Sequence, residues 1–458
     1  MIEPVTAVSD LLLAREQMAF TLGFHIILAS MGVAFPAITL AANWWGLRRG
    51  DTTALTLARR WSKVMAVLFA VGAVTGTVLS FELGLLWPKF MERFGDVFGI
   101  AFAIEGIFFF TEAIFIAIYI YGWDRLKPWA HFWTGVPIVI AGLGGAAAVV
   151  AANGWMNQPA GFGLDAAGNV TDVEPLEVLF NGAAGYEIPH MILAAYMVAG
   201  FGVASVYAVG WLKGRRDRYH RVGFAIPFIV AAIATPVQLF VGDVAARAIA
   251  EDQPSKFASM EYVTETGPNQ TEWVGGVFDD GKVKFGIGIP DLDSYLVGFS
   301  AGTVVKGLDQ IPKEERPPSP TLLHLAFDTM VGIGTGLMLL VTWFGLRWWR
   351  KRSLPESRWF WRAASLGGVG AVAALECGWI VTEVGRQPWI VYEVMRTEDA
   401  VTGASGLWLS LTIVVLLYAA LGAGTVAALR AMSRRWREEG DDADAGVPYG
   451  PPPATGGT

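Results

Sequence analysis

Cysteine and charge are both scarce in this chain. Cys377 is the only cysteine among 458 residues. An intrachain disulfide is therefore excluded, the redox compartment is left open, and a lone thiol in an apolar run reads as a small buried residue. Charged residues make up 16% of the chain and are bunched between apolar runs, with no long basic tract and a net charge of −7 spread over many segments. That distribution excludes nucleic acid as a partner. The first 20 residues carry Glu3, Asp10 and Glu16 and lack a basic start followed by an apolar core. The first hydrophobic segment is thus expected to be retained rather than cleaved.

Apolar surface is what abounds. Hydrophobic residues are 53% of the chain and the mean hydropathy is +0.45, so a polytopic membrane protein is expected in place of several soluble domains. A bilayer core of ~30 Å takes about 20 apolar residues in a helix. Nine stretches meet that need, at roughly 22–45, 62–84, 98–122, 132–153, 187–212, 222–246, 322–346, 363–383 and 406–430. None alternates with period two, which disfavours a membrane β-barrel and makes the expected class all-α.

Basic residues fall on alternate connections. Arg48, Arg49, Arg59, Arg60 and Lys63 lie in the first, Arg125 and Lys127 in the third, Lys213 to Arg221 in the fifth and Arg347 to Arg362 in the seventh, with Arg430, Arg434, Arg435 and Arg437 at the C-terminal end. The connection 154–186 has no Lys or Arg. The N-terminus is therefore expected outside and the C-terminus inside. The chain divides into helices 1–6 (1–246), a polar outer loop (247–321), helices 7–9 (322–430) and a basic end with a tail (431–458). From Asp441 the tail is acidic and then rich in Pro and Gly, so disorder is expected there. A loop of about 75 residues is too long and polar for a mere connector, and such loops are usually functional or disordered. The inverted repeat of many transporters is not evident.

Ionisable residues inside apolar helices cost several kcal/mol and are functional candidates by default. His25, Glu105, Glu112, His190, Glu376 and Glu383 lie within or at the ends of the expected spans. Glu105 and Glu112 are seven residues apart, close to two turns, so both point to one face. Two histidines, a mid-membrane methionine (Met330) and several carboxylates in an aromatic-rich bundle suit haem, since iron porphyrins take His and Met axially and Arg386 near a helix end can pair with propionates. Taken singly, each signal has a plainer reading, a hydrogen-bonded structural histidine or a packing methionine.

Beside this stands a sequence block, Gly378-Trp379-Ile380-Val381-Thr382-Glu383-Val384-Gly385-Arg386-Gln387-Pro388-Trp389, accompanied in order by AFTLGFH ending at His25, AIEG at 103–106 leading to YGWDRL, ANGWMNQP at 152–159 and AFDTM ending at Met330. Together these resemble subunit I of the cytochrome bd oxidases over nearly the whole chain. The resemblance implies that His190 and Met330 ligate a low-spin haem b, and that His25 and Glu376 are axial ligands of a high-spin haem b and a haem d, with the assignment between these two left open. It implies that Glu105 lies at the oxygen-reducing haem and Glu112 on the proton route. QPSKFASME at 253–261 resembles the family's quinol-loop motif, with Lys256 and Glu261 at its functional positions, and Gln387 is taken as a further quinol contact. Two departures stand out. Asp328 occupies a position where members usually carry Arg, and Ser80 one where many carry Glu, with Glu82 two residues on; the spacing from AIEG to Glu112 also suggests that helix 3 lacks a bulge.

The implied reaction is oxidation of quinol at the outer face of a bacterial cell membrane and reduction of O2 to water with protons from inside, with subunit II and a small accessory subunit as partners. Two other readings use the same residues. A proton-coupled secondary transporter would employ Glu105, Glu112 and Glu376 without iron, and a haem-bearing quinol redox anchor would never meet O2.

Overall fold

The computed structural model describes residues 3–438 and Tyr449. Among these, nine helices are long and apolar enough to cross a membrane: α1 (Glu3–Arg49), α2 (Thr52–Leu86), α3 (Pro88–Gly122), α4 (Pro128–Asn157), α5 (Ala184–Leu212), α6 (Arg218–Asp252), α7 (Pro320–Lys351), α8 (Arg358–Gly385) and α9 (Leu407–Glu438). Local chemistry sets many of their ends. Pro88, Pro128 and Pro320 open α3, α4 and α7 at the position where a missing N–H costs nothing. Asp51, Asp217 and Ser319 cap α2, α6 and α7 by accepting the N–H groups of Ala54, His220 and Leu322.

The helices overrun the apolar stretches from which they are expected. α1 begins well before residue 22 and α6 runs on to Asp252, past the expected boundary at 246. Hydropathy marks the lipid-exposed length, whereas polar turns such as the one carrying Arg15 and Gln17 continue the helix above it. α3 is α-helical from end to end, with no bulge.

α1 to α4 pack as one group and α5 to α8 as a second, joined chiefly through α1 and α4 against α5, while α9 lies against α1 and α2. Small residues allow the close approaches. A Cβ at Gly368 of α8 would lie 2.7 Å from Gly202 Cα of α5, and Ser205 donates to Ala364 O at 2.9 Å across the same contact. α3 leaves Ile107, Phe110 and Ile114 exposed, as suits a helix facing lipid or another apolar chain.

The expected extramembrane loop is no free excursion. Its first turn of helix, Pro254–Met260, is buried and packs on α6, α7 and α8, with Phe257 and Met260 against Leu323, Ala326 and Val381. Each such side chain contributes roughly 1.5–3 kcal/mol by leaving water. A hairpin follows, pairing Glu272–Val274 with Ile287–Ile289 and Val277–Asp279 with Lys282–Lys284, both antiparallel. A short helix, Leu292–Gly298, then returns to α6. The expected disorder of the tail falls outside the described residues except at Tyr449, whose hydroxyl accepts from Asn43 Nδ2 at 2.9 Å and meets His131 Nδ1 at 3.0 Å.

Candidate functional site

A cavity of about 370 Å³ opens between α5, α6, α7, α8 and the loop, and its lining includes His190, Met330, Trp379, Lys256 and Glu261. α5 presents His190, whose Nε2 stands 3.3 Å from the Gln238 amide of α6 and whose Nδ1 is buried without a hydrogen-bond partner among the described residues. A glycine backbone borders each of the two donors on one side. A Cβ at Gly242 would lie 3.3 Å from His190 Cε1, and one at Gly378 would lie 3.1 Å from Met330 Sδ. At the C-terminal end of α8, Arg386 is 3% exposed and donates to Glu383 at 2.5 Å, yet its Nε and Nη1 have no acceptor among the described residues. A buried guanidinium with two idle donors calls for an anion. An unpartnered imidazole nitrogen, a thioether, glycine walls and that guanidinium fit a haem and its propionates.

The loop contributes the other two cavity residues from opposite ends of one short helix. Lys256 Nζ donates to Asn157 Oδ1 at 3.0 Å, and the same amide donates through Nδ2 to Glu187 at 3.0 Å. Its stem passes so close to α8 that a Cβ at Gly385 would meet Lys256 Cγ at 2.6 Å. Burial pushes the Lys256 ammonium down to about 8, opposed by the Glu187 carboxylate. Glu261 sits in different company, with its carboxyl in hydrogen-bonding reach of Glu272 and within the field of Asp293 and Asp328. Burial first, and then these like charges, hold it well above the usual carboxylate range. Lys256 therefore faces a carboxylate partner, whereas Glu261 sits among carboxylates.

The remaining sequence candidates lie in the first helix group and at its seam with α8. His25 Nδ1 meets Thr75 Oγ1 at 2.9 Å, and the Thr75 hydroxyl donates to Gly72 O at 3.0 Å, so the imidazole N–H is on Nδ1 and Nε2 keeps its lone pair. Gly76 gives the ring room, since a Cβ there would lie 3.0 Å from Cε1. Glu376 approaches α1 at Gly23, where a Cβ would stand 3.2 Å from Oε2, and its Oε1 is buried without a hydrogen-bond partner among the described residues. Gly23 and His25 point about 200° apart on α1, so histidine and glutamate reach this helix from different sides. Glu105 and Glu112 do share a face, as their spacing requires. Cβ atoms at Gly145 and Gly142 of α4 would lie 3.9 Å from Glu105 Cγ and 3.7 Å from Glu112 Oε1.

Gln387 lies apart from the two loop residues. Its Oε1 accepts from Arg15 at 2.6 Å and from Thr397 at 2.9 Å, and it does not line the cavity with Lys256 and Glu261. The cause is the polar extension of α1, which brings Arg15 to the end of α8 and which hydropathy does not reveal. Ser80 faces outward and donates to Gly76 O of its own helix, whereas Glu82 is 3% exposed and accepts from Gln17 at 2.8 Å. Glu82 thus points inward rather than replacing Ser80. Asp328 accepts the Gly275 N–H at 2.5 Å and lies 3.3 Å from His324 Nε2, so it fastens the hairpin to α7. Sequence reasoning passed over Glu187, Gln238, Glu272 and Asp293, which line the same cavity. Glu187, three residues before His190, was findable as a carboxylate at a span's edge; the loop acids carry no such signal.

Residues 13–436 match the family model for cytochrome bd terminal oxidase subunit I. The chain belongs to that family. Among its relatives, a Bacillus subtilis (strain 168) protein described provisionally as a cytochrome bd menaquinol oxidase subunit I is 34% identical, over 91% of this chain and 95% of its own. The cytochrome bd ubiquinol oxidase subunit 1 of the same organism is 30% identical over 91% and 92%. The solved bd oxidase from Geobacillus thermodenitrificans superposes with a TM-score of 0.87 at 35% identity, covering 94% of this chain and 99% of that one. As a subunit I, the chain is the oxidoreductase component of a terminal quinol oxidase, uses haem and works with a subunit II. Its nine apolar helices and bacterial relatives make it a multi-pass protein of the cytoplasmic membrane. Neither the iron-free transporter nor the redox anchor is favoured.

Proposed function

We propose that this subunit I oxidises quinol at the outer face of the membrane, in the cavity that joins His190 and Met330 to Lys256 and Glu261, and reduces O2 to water at a second haem region with protons drawn from inside. The observation that carries the reading is that convergence. The loop motif and the His–Met pair are far apart in the chain, yet they line one cavity. When bound, haem supplies one-electron chemistry that side chains lack.

The chain's own residues have separable tasks in this reading. His190 and Met330 hold a low-spin haem b, with Arg386 neutralising a propionate. His25 and Glu376 serve a high-spin haem b and a haem d. Lys256 polarises a quinol oxygen, and Glu261 takes a proton as the quinol is oxidised. Glu105 and Glu112, stacked against the glycines of α4, hold protons on the inner route. The alternation of basic connections supports an N-terminus outside and a C-terminus inside, which puts the loop on the outer face. A small accessory subunit beside subunit II is part of the proposal. Oxygen uptake by the purified oxidase, driven by a quinol and measured with its visible spectrum, tests the reading. Uptake with Soret absorption is expected; a protein without Soret absorption would return the transporter to contention, and haem without uptake the redox anchor.

A further inference from the structure

Quinol oxidation breaks two O–H bonds. The two electrons pass to the oxidase's iron centres and the two protons need acceptors on the cavity wall, but the loop motif offers one carboxylate, Glu261. The structure adds two more. Glu272, on the first strand of the hairpin, holds its carboxyl in hydrogen-bonding reach of Glu261. Asp293, on the short helix Leu292–Gly298, is 1% exposed and lines the cavity with both carboxylate oxygens unpartnered among the described residues. Each of the three comes from a different segment of the loop.

We infer that Glu272 and Asp293 join Glu261 in a buried proton-collecting site that takes up both protons of the quinol and passes them to the outer surface through Glu272. The inference rests on the quinol reading of the cavity. Glu272 is only half-buried, so it offers the way out, whereas Glu261 and Asp293 are enclosed. Glu261 and Glu272 face each other within the field of Asp293, so each of the pair disfavours charge on the other and a proton gained by one eases ionisation of its neighbour. Burial, reinforced for Glu272 by Asp293 and Asp328, lifts Glu272 and Asp293 to about 7 each. The other charged groups around the trio are Asp328 and His324 of α7, Lys256 at the far end of the loop helix, Glu187 of α5, and Arg247 of α6, which is paired with Asp243 at 2.7 Å. None of these cations bonds directly to Asp293.

The test uses the whole oxidase carrying Glu272→Gln or Asp293→Asn, with quinol-driven oxygen uptake followed against pH. In the wild type, maximal turnover is expected to fall as pH drops below about 7, where the acceptors are already protonated. Either variant is expected to lower kcat by roughly 100-fold, the lower end of what a general base contributes, with KM little changed. The acid limb should also move to lower pH, because fewer like charges remain. Oxygen uptake from an artificial one-electron donor that bypasses the quinol should be unaffected. Infrared spectra taken across pH 7 should lose one protonated-carboxyl band in each variant, a readout independent of turnover. If Asp293→Asn does not assemble, Glu272→Gln decides alone. A wild-type pH profile in variants that assemble, or an intact carboxyl band, overturns the inference; a wild-type oxidase that does not oxidise quinol overturns the reading beneath it.

Discussion

Gly378 of α8 backs directly onto Met330 of α7, so that a Cβ added there would lie 3.1 Å from the thioether sulfur. The contact is tight but the sulfur ends a flexible side chain, so Gly378→Ala is expected to be tolerated with a shift of a few tenths of an ångström. If Met330 ligates the iron as proposed, displacing it weakens the bond that raises the potential. The midpoint potential of the low-spin haem should therefore fall, as read by redox titration. Gly336→Ala, where a Cβ meets nothing within 4 Å, is the control. Equal potentials in both variants would separate Met330 from the iron.

Lys256 offers a pH signature of its own. Its ammonium is held down to about 8, so it is charged below that pH and neutral above it. If the charge polarises a quinol oxygen, quinol KM should rise as pH passes upward through about 8, and Lys256→Met should have the high KM throughout. Haem spectra should be unchanged in the variant. A flat KM in the wild type would remove Lys256 from the quinol.

Asp328 has two effects that different substitutions separate. A unit charge at ~10 Å in an effective dielectric of ~20 is worth roughly 2 kcal/mol before screening, so removing this anion should raise the potential of a nearby haem. Asp328→Arg also breaks the bonds to the Gly275 N–H and His324 that hold the hairpin on α7. Asp328→Asn keeps an acceptor for Gly275. A raised potential in the Asn variant, with normal quinol turnover, is expected; a raised potential in the Arg variant alone would trace the effect to loop displacement.

The helical class and the positions of all nine apolar stretches were legible because lipid demands long uninterrupted runs, and Glu105 and Glu112 because helical periodicity fixes a shared face. The cavity was not legible. His190 and Lys256 lie on separate segments whose approach depends on the buried turn 254–260 and on glycines at 242, 378 and 385, which carry no chemistry themselves. The surroundings of Gln387 were not legible for the converse reason. It adjoins Arg386 in sequence, but its amide turns to Arg15, on a polar turn of α1 that hydropathy ends too soon.

Glu112 is buried with Oε1 unpartnered among the described residues, so its cost in stability points to a task. Glu112→Gln should leave the haem spectra and the amount of assembled oxidase unchanged while lowering oxygen uptake by roughly 100-fold or more, as for loss of a proton-transferring group. Gly142→Ala, whose Cβ would stand 3.7 Å from Oε1 in ordinary contact, should be close to normal. Undiminished turnover in the glutamine variant would place the inner proton route elsewhere.

In the proposed reading, His190 and Met330 hold a haem in the wall of the quinol cavity. The reduced-minus-oxidised visible spectrum of the purified oxidase carrying His190→Ala, set beside that of the wild type, tests it most directly. The low-spin haem signal is expected to disappear while the other haem signals and the assembled protein remain. A low-spin signal of wild-type size in that variant would contradict it.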